Sequence, residues 1–542
     1  MLARHWVRAA VCGSAAGSGA RLAELRSANE PARADTDFFR RVGYELNLVA
    51  ELSGYAAHKL GMPFNAPMFF EGVSALTLED RAMQRVLWGR VTDDGAAAEI
   101  TQTGFSVFSA APREVLRTLW ARFGPKREYT GAAMRAKALA TLRHSLARQR
   151  RDTSGFGNVS HVGAVRPEAA ATLCAEQTGA TLVYISTSLH AGYAVKVPPG
   201  DPEKAESVEL PDLAVRQGLQ ELVEAVRKQF DAAGRSESAA TELLRRVGSL
   251  VVEPVLRRWP ELRDTRVVLV PVGETGLLPL FGALVDDRPV GSFLDLTVAP
   301  SARTMLLSSV WPENDRREAL VVADPTLHRQ GTSRIPHVLP EVRRVAEVHG
   351  ARPRVPAALL EPGFRPVRLP HRRILEEFLD GEPGPAALSG HEDLLERMAG
   401  ATDIHFACHG RIDDGNSLDS SLLVDAPLRL EQILRRRVRS GALVVLSACE
   451  VGGISREAPG EQLGFPSLLL AAGARAVVGP LWPIPDSRET AGFMADLHRL
   501  TRRMPSNRAL GHIMESARTS GVSSLLWAPM GHFGTPRTPP LR

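Results

Sequence analysis

The chain reads D-I-H-F-A-C-H-G at 403–410 and V-V-L-S-A-C-E-V-G-G at 444–453. Each is a short apolar run that halts at a reactive side chain, His409 in the first and Cys449 in the second. Apolar runs of this length bounded by turn residues read as buried strands. One helical pattern, 428–438, lies between them, the length of a single crossover between parallel neighbours. The two strands are therefore expected as neighbours or near-neighbours, with His409 and Cys449 projecting from one rim toward each other.

The surroundings extend this pattern. From about residue 318, strands alternate with helices. A-L-V-V-A-D-P is a strand, L-P-E-V-R-R-V-A-E-V-H-G a helix with Pro near its first turn and Gly beyond its end. Further helices are predicted at 391–399, 460–473, 487–502 and 506–519, and further strands at 403–408, 442–448 and over A-R-A-V-V-G-P-L-W. Such alternation predicts an α/β fold, a mostly parallel sheet with helices on both faces, over 311–542. The Pro/Gly-rich stretch 352–390 reads as an irregular insertion with one helix near H-R-R-I-L-E-E-F-L. Upstream, 161–310 is expected to form a second, smaller α/β subdomain. It has paired strands at 181–188 and 190–197, two amphipathic helices, and the strand R-V-V-L-V-P-V-G at 266–273. Residues 37–160 carry helical periods at 37–60, 78–89, 113–123 and 131–149, possible degenerate helical repeats, closed by a loop at 152–161. Residues 1–36 read as poorly ordered or weakly helical.

Composition excludes several functions. The 542 residues carry 66 basic and 61 acidic side chains, for a net charge of +5. Only six are lysines, the last at Lys228, and the arginines are interleaved with acids. The densest basic run, R-R-R-V-R at 435–439, reads as the solvated face of a helix, so no nucleic-acid partner is expected. No apolar run approaches the ~18–20 residues that span a bilayer. The N-terminal apolar part is short and broken by Arg8, so no secretory signal is expected and the protein is read as cytoplasmic. Four cysteines, Cys12, Cys174, Cys408 and Cys449, are too few and too dispersed for a disulfide framework. Cys12 and Cys174 are read as inert, and Cys408 as a buried small hydrophobe. His405, Cys408 and His409 do not make a metal site: in a strand the histidines face one side and Cys408 the other. No second cluster with zinc spacing follows, and neither metal nor cofactor is expected.

A histidine and a cysteine at one rim have a chemical rationale. A free thiol of pKa ~8.5 is only a few per cent thiolate at neutral pH. A neighbouring imidazole takes its proton and later returns one to a leaving amine. A tetrahedral intermediate also needs backbone N–H donors, which Gly410 and Cys449 could offer just beyond their strands.

H-F-A-C-H-G, S-A-C-E-V-G-G and G-A-R-A-V-V-G-P-L-W-P together resemble the signature of CHAT-domain cysteine peptidases, bacterial relatives of caspases, metacaspases and separases. L-P-L-F-G-A-L at 278–284 and L-T-V-A-P-S-A-R-T-M-L at 296–306 extend the resemblance over roughly 165–535. The caspase pattern places its histidine about 50 residues before the cysteine; here forty separate His409 from Cys449. The resemblance implies His409 as general base, Cys449 as nucleophile and the Gly410 and Cys449 amides as oxyanion hole. It implies 161–310 as the N-terminal subdomain of the CHAT region and 311–542 as its caspase-like catalytic subdomain. It also implies a protein substrate and a regulatory protein or ligand acting through the N-terminal helices. Ser447 and Glu450 replace the caspase Gln and Arg, so aspartate specificity at P1 is not implied. Glu450, Asp486 and Asp419 are acids near the expected rim; each could select a basic P1 residue or be an ordinary solvated acid. Arg456 lies in the polar loop after Cys449, which reads as a surface loop rather than an autoprocessing site. Two functions stay open: an endopeptidase gated by a partner or ligand, and a catalytically silent scaffold of the same fold that signals by protein binding.

Overall fold

The computed structural model describes residues 167–539 apart from 189–190, 201–203, 232–234, 311–317, 329–332, 367, 383, 414–418, 437, 439–440 and 449–463. It also describes 50–51, 54–59, 61, 63, 66–67 and 70–71. The expected segments at 1–36, 78–89, 113–123, 131–149 and 152–161 lie outside these residues, as do Cys12 and Arg456.

The chain begins its α/β part with helix α1 (Pro167–Thr178) and the antiparallel strands β1 (Thr181–Thr187), β2 (Gly192–Val197) and β3 (Glu206–Leu210). Helices α2 (Gln220–Lys228) and α3 (Glu237–Val247) follow, the latter capped by Ser236, whose side chain accepts the Ala239 N–H. Next come β4 (Arg266–Pro271), the hairpin β5 (Leu284–Val285) and β6 (Arg288–Pro289), β7 (Asp295–Val298) and α4 (Ala302–Val310). The second half runs β8 (Ala319–Ala323), α5 (Val338–His349), β9 (Arg354–Pro356), α6 (Leu369–Leu379), β10 (Ala386–Leu388), α7 (His391–Gly400) and β11 (Asp403–Arg411). It continues with β12 (Ser421–Val424), β13 (Ala426–Arg429), α8 (Leu430–Arg436), β14 (Ala442–Ala448), α9 (Phe465–Ala471) and β15 (Ala474–Pro480). Helices α10 (Arg488–Thr501) and α11 (Ser506–Thr519) and strand β16 (Met530–Gly534) complete it.

Fourteen strands form one sheet in the order β10-β9-β8-β11-β14-β15-β16-β7-β4-β1-β2-β3, with β12 and β13 joined to the end of β11. The pairings are parallel except at β15–β16, β1–β2, β2–β3 and the β12–β13 hairpin with its contact to β11. The apolar runs of β8, β11 and β14 are buried because helices cover both faces. Ile404, Phe406 and Cys408 pack with Leu394, Met398 and Leu469 on one face. Ala407 and Val445 pack with Val342, Val345 and Leu497 on the other. Cys408 thus is the buried hydrophobe its strand position predicts. Helix α5 ends as its sequence predicts, with Gly350 in the left-handed region at φ 63°.

Three features differ from the sequence expectation. The stretch 352–390 is not irregular: besides α6 it contributes β9 and β10, three residues each, to the edge of the sheet. Strands so short leave no alternation to read. The strand expected at 403–408 continues to Arg411, because the unforeseen β12 pairs with its last three residues. M-G-H-F-G at 530–534 has no apolar run, yet it is a strand, antiparallel to β15 and parallel to β7. Through it one sheet runs across the 310/311 division.

His532 of β16 is fully buried, its Nδ1 2.7 Å from Thr297 Oγ1 and its Nε2 2.8 Å from Ser506 Oγ. Burial lowers its pKa to about 3. The unfolded chain therefore binds a proton below pH ~6.5 that the folded chain refuses. This stabilisation is complete above pH ~6.5 and is lost at about 1.4 kcal/mol per pH unit as pH falls toward 3. The urea midpoint is expected to fall from pH 6.5 to pH 5, and His532→Gln to flatten that slope by one proton. An unchanged slope in the variant would refute the assignment.

Candidate active site

Strands β11 and β14 are parallel neighbours in register from Asp403↔Leu443 to Cys408↔Ala448. His409 is the residue after Cys408, and Cys449 the residue after Ala448. Cys449 and Glu450 lie outside the described residues. On the other side of β11, His409 stands opposite Leu423 and Gly410 opposite Leu422 of β12, so the backbone at both positions is held in a ladder.

The His409 ring is only half-buried, and its Nε2 lies 2.8 Å from the Ser333 carbonyl oxygen. A carbonyl only accepts, so Nε2 carries a proton, and in the neutral ring Nδ1 is the nitrogen left to accept one. Neutral imidazole in that tautomer can accept a proton at Nδ1, as a general base does.

Asp486 follows β15, so it stands at the same carboxyl rim. It is half-buried, and its carboxylate accepts the His337 backbone N–H at 3.1 and 3.4 Å. Burial pushes its carboxyl up to about 7, against the pull of the His337 amide and with a further push from Glu341. The segment 333–337 therefore connects His409 at one end to Asp486 at the other. Asp419 is part-buried on the stretch that leads into β12, the strand whose Ser421 pairs with Arg411 at the end of β11. Trp482, just after β15, is fully buried and Trp527 nearly so; both serve as core.

Behind His409 runs a polar chain that the sequence did not announce. His405 is fully buried; its Nε2 lies 2.9 Å from Glu341 Oε1 and its Nδ1 3.1 Å from His498 Nε2. His498 Nδ1 lies 3.0 Å from His349 Nε2. With each ring protonated at Nε2, His349 donates to His498, His498 to His405, and His405 to the Glu341 carboxylate. Burial, then the neighbouring His349 and His405, hold His498 well below the ordinary histidine range, so it stays neutral. The chain ties α5, β11 and α10 together with every proton assigned. Its trace in the sequence is a histidine in the middle of an apolar strand.

A further polar group sits where β8 ends. Asp324 is fully buried; one carboxylate oxygen accepts the Thr326 N–H at 2.8 Å and the other the Asp425 N–H at 2.8 Å. A-D-P-T after a strand is a turn signal that could have been noted. The Ser333 carbonyl, belonging to backbone, leaves none.

A mostly parallel α/β sheet with His409 at the carboxyl end of its strand β11 is the class of protein that this fold defines. Within it the chain is assigned more narrowly. The CHAT domain pattern matches residues 241–535, more than half of the 542, and the protein belongs to the CHAT domain family. No curated protein matches it. Two crystal structures of the Saccharomyces cerevisiae separase–securin complex are similar. One, at 11% identity and TM-score 0.44, covers 93% of this chain and 38% of that chain. The other, at 11% and 0.47, covers 92% and 37%. This chain thus spans little more than a third of the separase chain.

Proposed function

We propose that this protein is a cysteine endopeptidase in which His409 is the general base and Cys449 the nucleophile. The observation that carries the reading is the β11–β14 ladder, whose last pair immediately precedes both residues. The His409 tautomer supports it. Nδ1 accepts the thiol proton, and the thiolate attacks the scissile carbonyl carbon. The tetrahedral oxyanion takes hydrogen bonds from the Gly410 and Cys449 amides. The imidazolium then protonates the leaving amine, and His409 activates the water that hydrolyses the thioester.

Glu450, Asp486 and Asp419 are the acids proposed to select a basic P1 side chain. Asp486, near pKa 7, is charged in only part of the molecules at neutral pH. A preference resting on it would strengthen as pH rises. The enzyme is read as a cytoplasmic component of a bacterial signalling or defence pathway, gated by a partner or ligand that acts through the N-terminal segment. Among the described residues no helix is long and apolar enough to cross a membrane.

The test is irreversible labelling with peptidyl electrophiles carrying Arg, Asp or Leu at P1, with the modified residue located by mass spectrometry. Modification of Cys449 that is fastest for P1 Arg and lost in His409→Ala is the expected result. No modification of Cys449 by any probe would favour the silent scaffold, and fastest labelling by P1 Asp or Leu would remove the role of the three acids.

A further inference from the structure

Thr326 has φ 53°, in the left-handed region, where a β-branched residue is an outlier. Its side chain is fully buried. A position needing only that backbone would suit Gly or Asn, which adopt it at little cost. Strain of this kind persists where surrounding contacts over-determine it, and it clusters at functional sites.

The contacts here lead to His409. The Thr326 N–H donates to Asp324 Oδ1 at 2.8 Å. The Thr326 hydroxyl lies 2.6 Å from the Ser333 carbonyl oxygen and 2.7 Å from that of Pro325. The same Ser333 oxygen accepts from His409 Nε2 at 2.8 Å. The Ile335 N–H, two residues on, donates to the Pro325 carbonyl at 3.2 Å, so the two segments are joined twice. Asp324 also reaches the other flank of His409. Its second oxygen holds the Asp425 N–H at the turn of the β12–β13 hairpin, whose first strand pairs with His409. Its own N–H donates to the Ala407 carbonyl on β11 at 3.1 Å.

We infer that Thr326 and Asp324 are positioning residues for His409. The hydroxyl fixes the Ser333 carbonyl that sets the imidazole tautomer, and the carboxylate fixes both the Thr326 turn and the hairpin beside the ring. The inference rests on the proposed dyad for its catalytic consequence, but not for the orientation itself. A residue kept only for its backbone would gain from losing its branched side chain; one kept for its hydroxyl would not.

Two readouts separate these possibilities. Nitrogen NMR of histidine-labelled protein reports the His409 tautomer, with the signal assigned by its loss in His409→Ala. The pH dependence of Cys449 alkylation by iodoacetamide reports the coupling of thiol to imidazole. In the parent protein a single Nε2–H tautomer is expected, with a thiol titrating below the ordinary ~8.5. Thr326→Val should mix the tautomers and move the thiol toward that ordinary value, while Thr326→Ser should keep both. Thr326→Gly relieves the backbone strain and should keep or raise the melting temperature while losing the tautomer as Val does; it also serves if the Val variant does not fold. An unchanged tautomer in Thr326→Val or Thr326→Gly overturns the inference, whatever the thiol does. A tautomer that mixes while Cys449 titrates identically with and without His409 leaves the positioning role standing and overturns the dyad.

Discussion

Cys449→Ala is expected to abolish peptide cleavage, lowering kcat/KM by roughly 10³-fold or more, with the urea midpoint and partner binding unchanged. A nucleophile has no substitute within its site, and the rate left over is what binding and amide donors supply without it. His409→Ala should fall by roughly 10²–10⁴-fold, the range for loss of a general base. The double variant should be little worse than the worse single one, because base and nucleophile act in one step. Single losses that multiply in the double variant would mean that the two residues act independently. Cleavage retained by Cys449→Ala would remove the mechanism altogether. The stability arm has its own reason: the cysteine follows the last residue of β14 rather than filling the strand, whose seven residues, Ala442–Ala448, are all buried without it.

The second large effect lies at the opposite end of the sheet. Glu71→Ala is expected to cost about 3–5 kcal/mol by removing the buried carboxylate that faces the Arg303 guanidinium. Glu71 and Arg303 are each 1% exposed. Glu71 Oε1 accepts the Ala302 N–H at 2.7 Å and the Tyr184 hydroxyl at 3.0 Å, and Oε2 accepts the Arg303 N–H at 3.3 Å. Arg303 Nη2 returns a 2.6 Å bond to the Glu71 carbonyl, with Nε 3.8 Å from Oε2. The carboxylate thereby sits at the N-terminus of α4, where the helix dipole favours a negative charge. Burial pushes the Glu71 carboxyl up, against the pull of Arg303 and of the donors. The pair is thus expensive to bury and more expensive to break. Glu71→Leu with Arg303→Met should recover most of the loss, since an apolar replacement of both partners removes the desolvation cost. A double variant as unstable as Glu71→Ala would show that the hydrogen bonds, not the charges, hold this joint. Glu71 precedes the family-matched residues, and its neighbours Tyr55 and Phe70 pack with Tyr184 and Tyr193. Undocking of this segment is therefore the structural change expected in Glu71→Ala.

Much of this architecture could be read from residues alone. The strands at 403 and 442, the helices at 391, 488 and 506 and the Gly-terminated α5 all carry strong local patterns: apolar runs, 3.6-residue periods, caps. Strand order could be inferred for β11 and β14 because one crossover separates them. It could not be inferred for β16, whose five residues contain two glycines and a histidine and become a strand only between β15 and β7. Likewise β9 and β10 are too short for a period, and they exist because the edge of β8 offers hydrogen bonds to β9 and β9 in turn to β10.

For the site the division is similar. The sequence alone determined which residue types stand at strand ends, and so that His409 was the base to examine. Only the tertiary structure decided which of its nitrogens is protonated, because a backbone carbonyl 76 positions away in the chain makes that choice. It also decided that Asp486 is drawn to the His337 amide and that His405 belongs to a buried line ending at Glu341. These are contacts between polar groups far apart in sequence, and burial gives them their strength. Local pattern records which side chains a segment hides, but not which partner a hidden polar atom will meet.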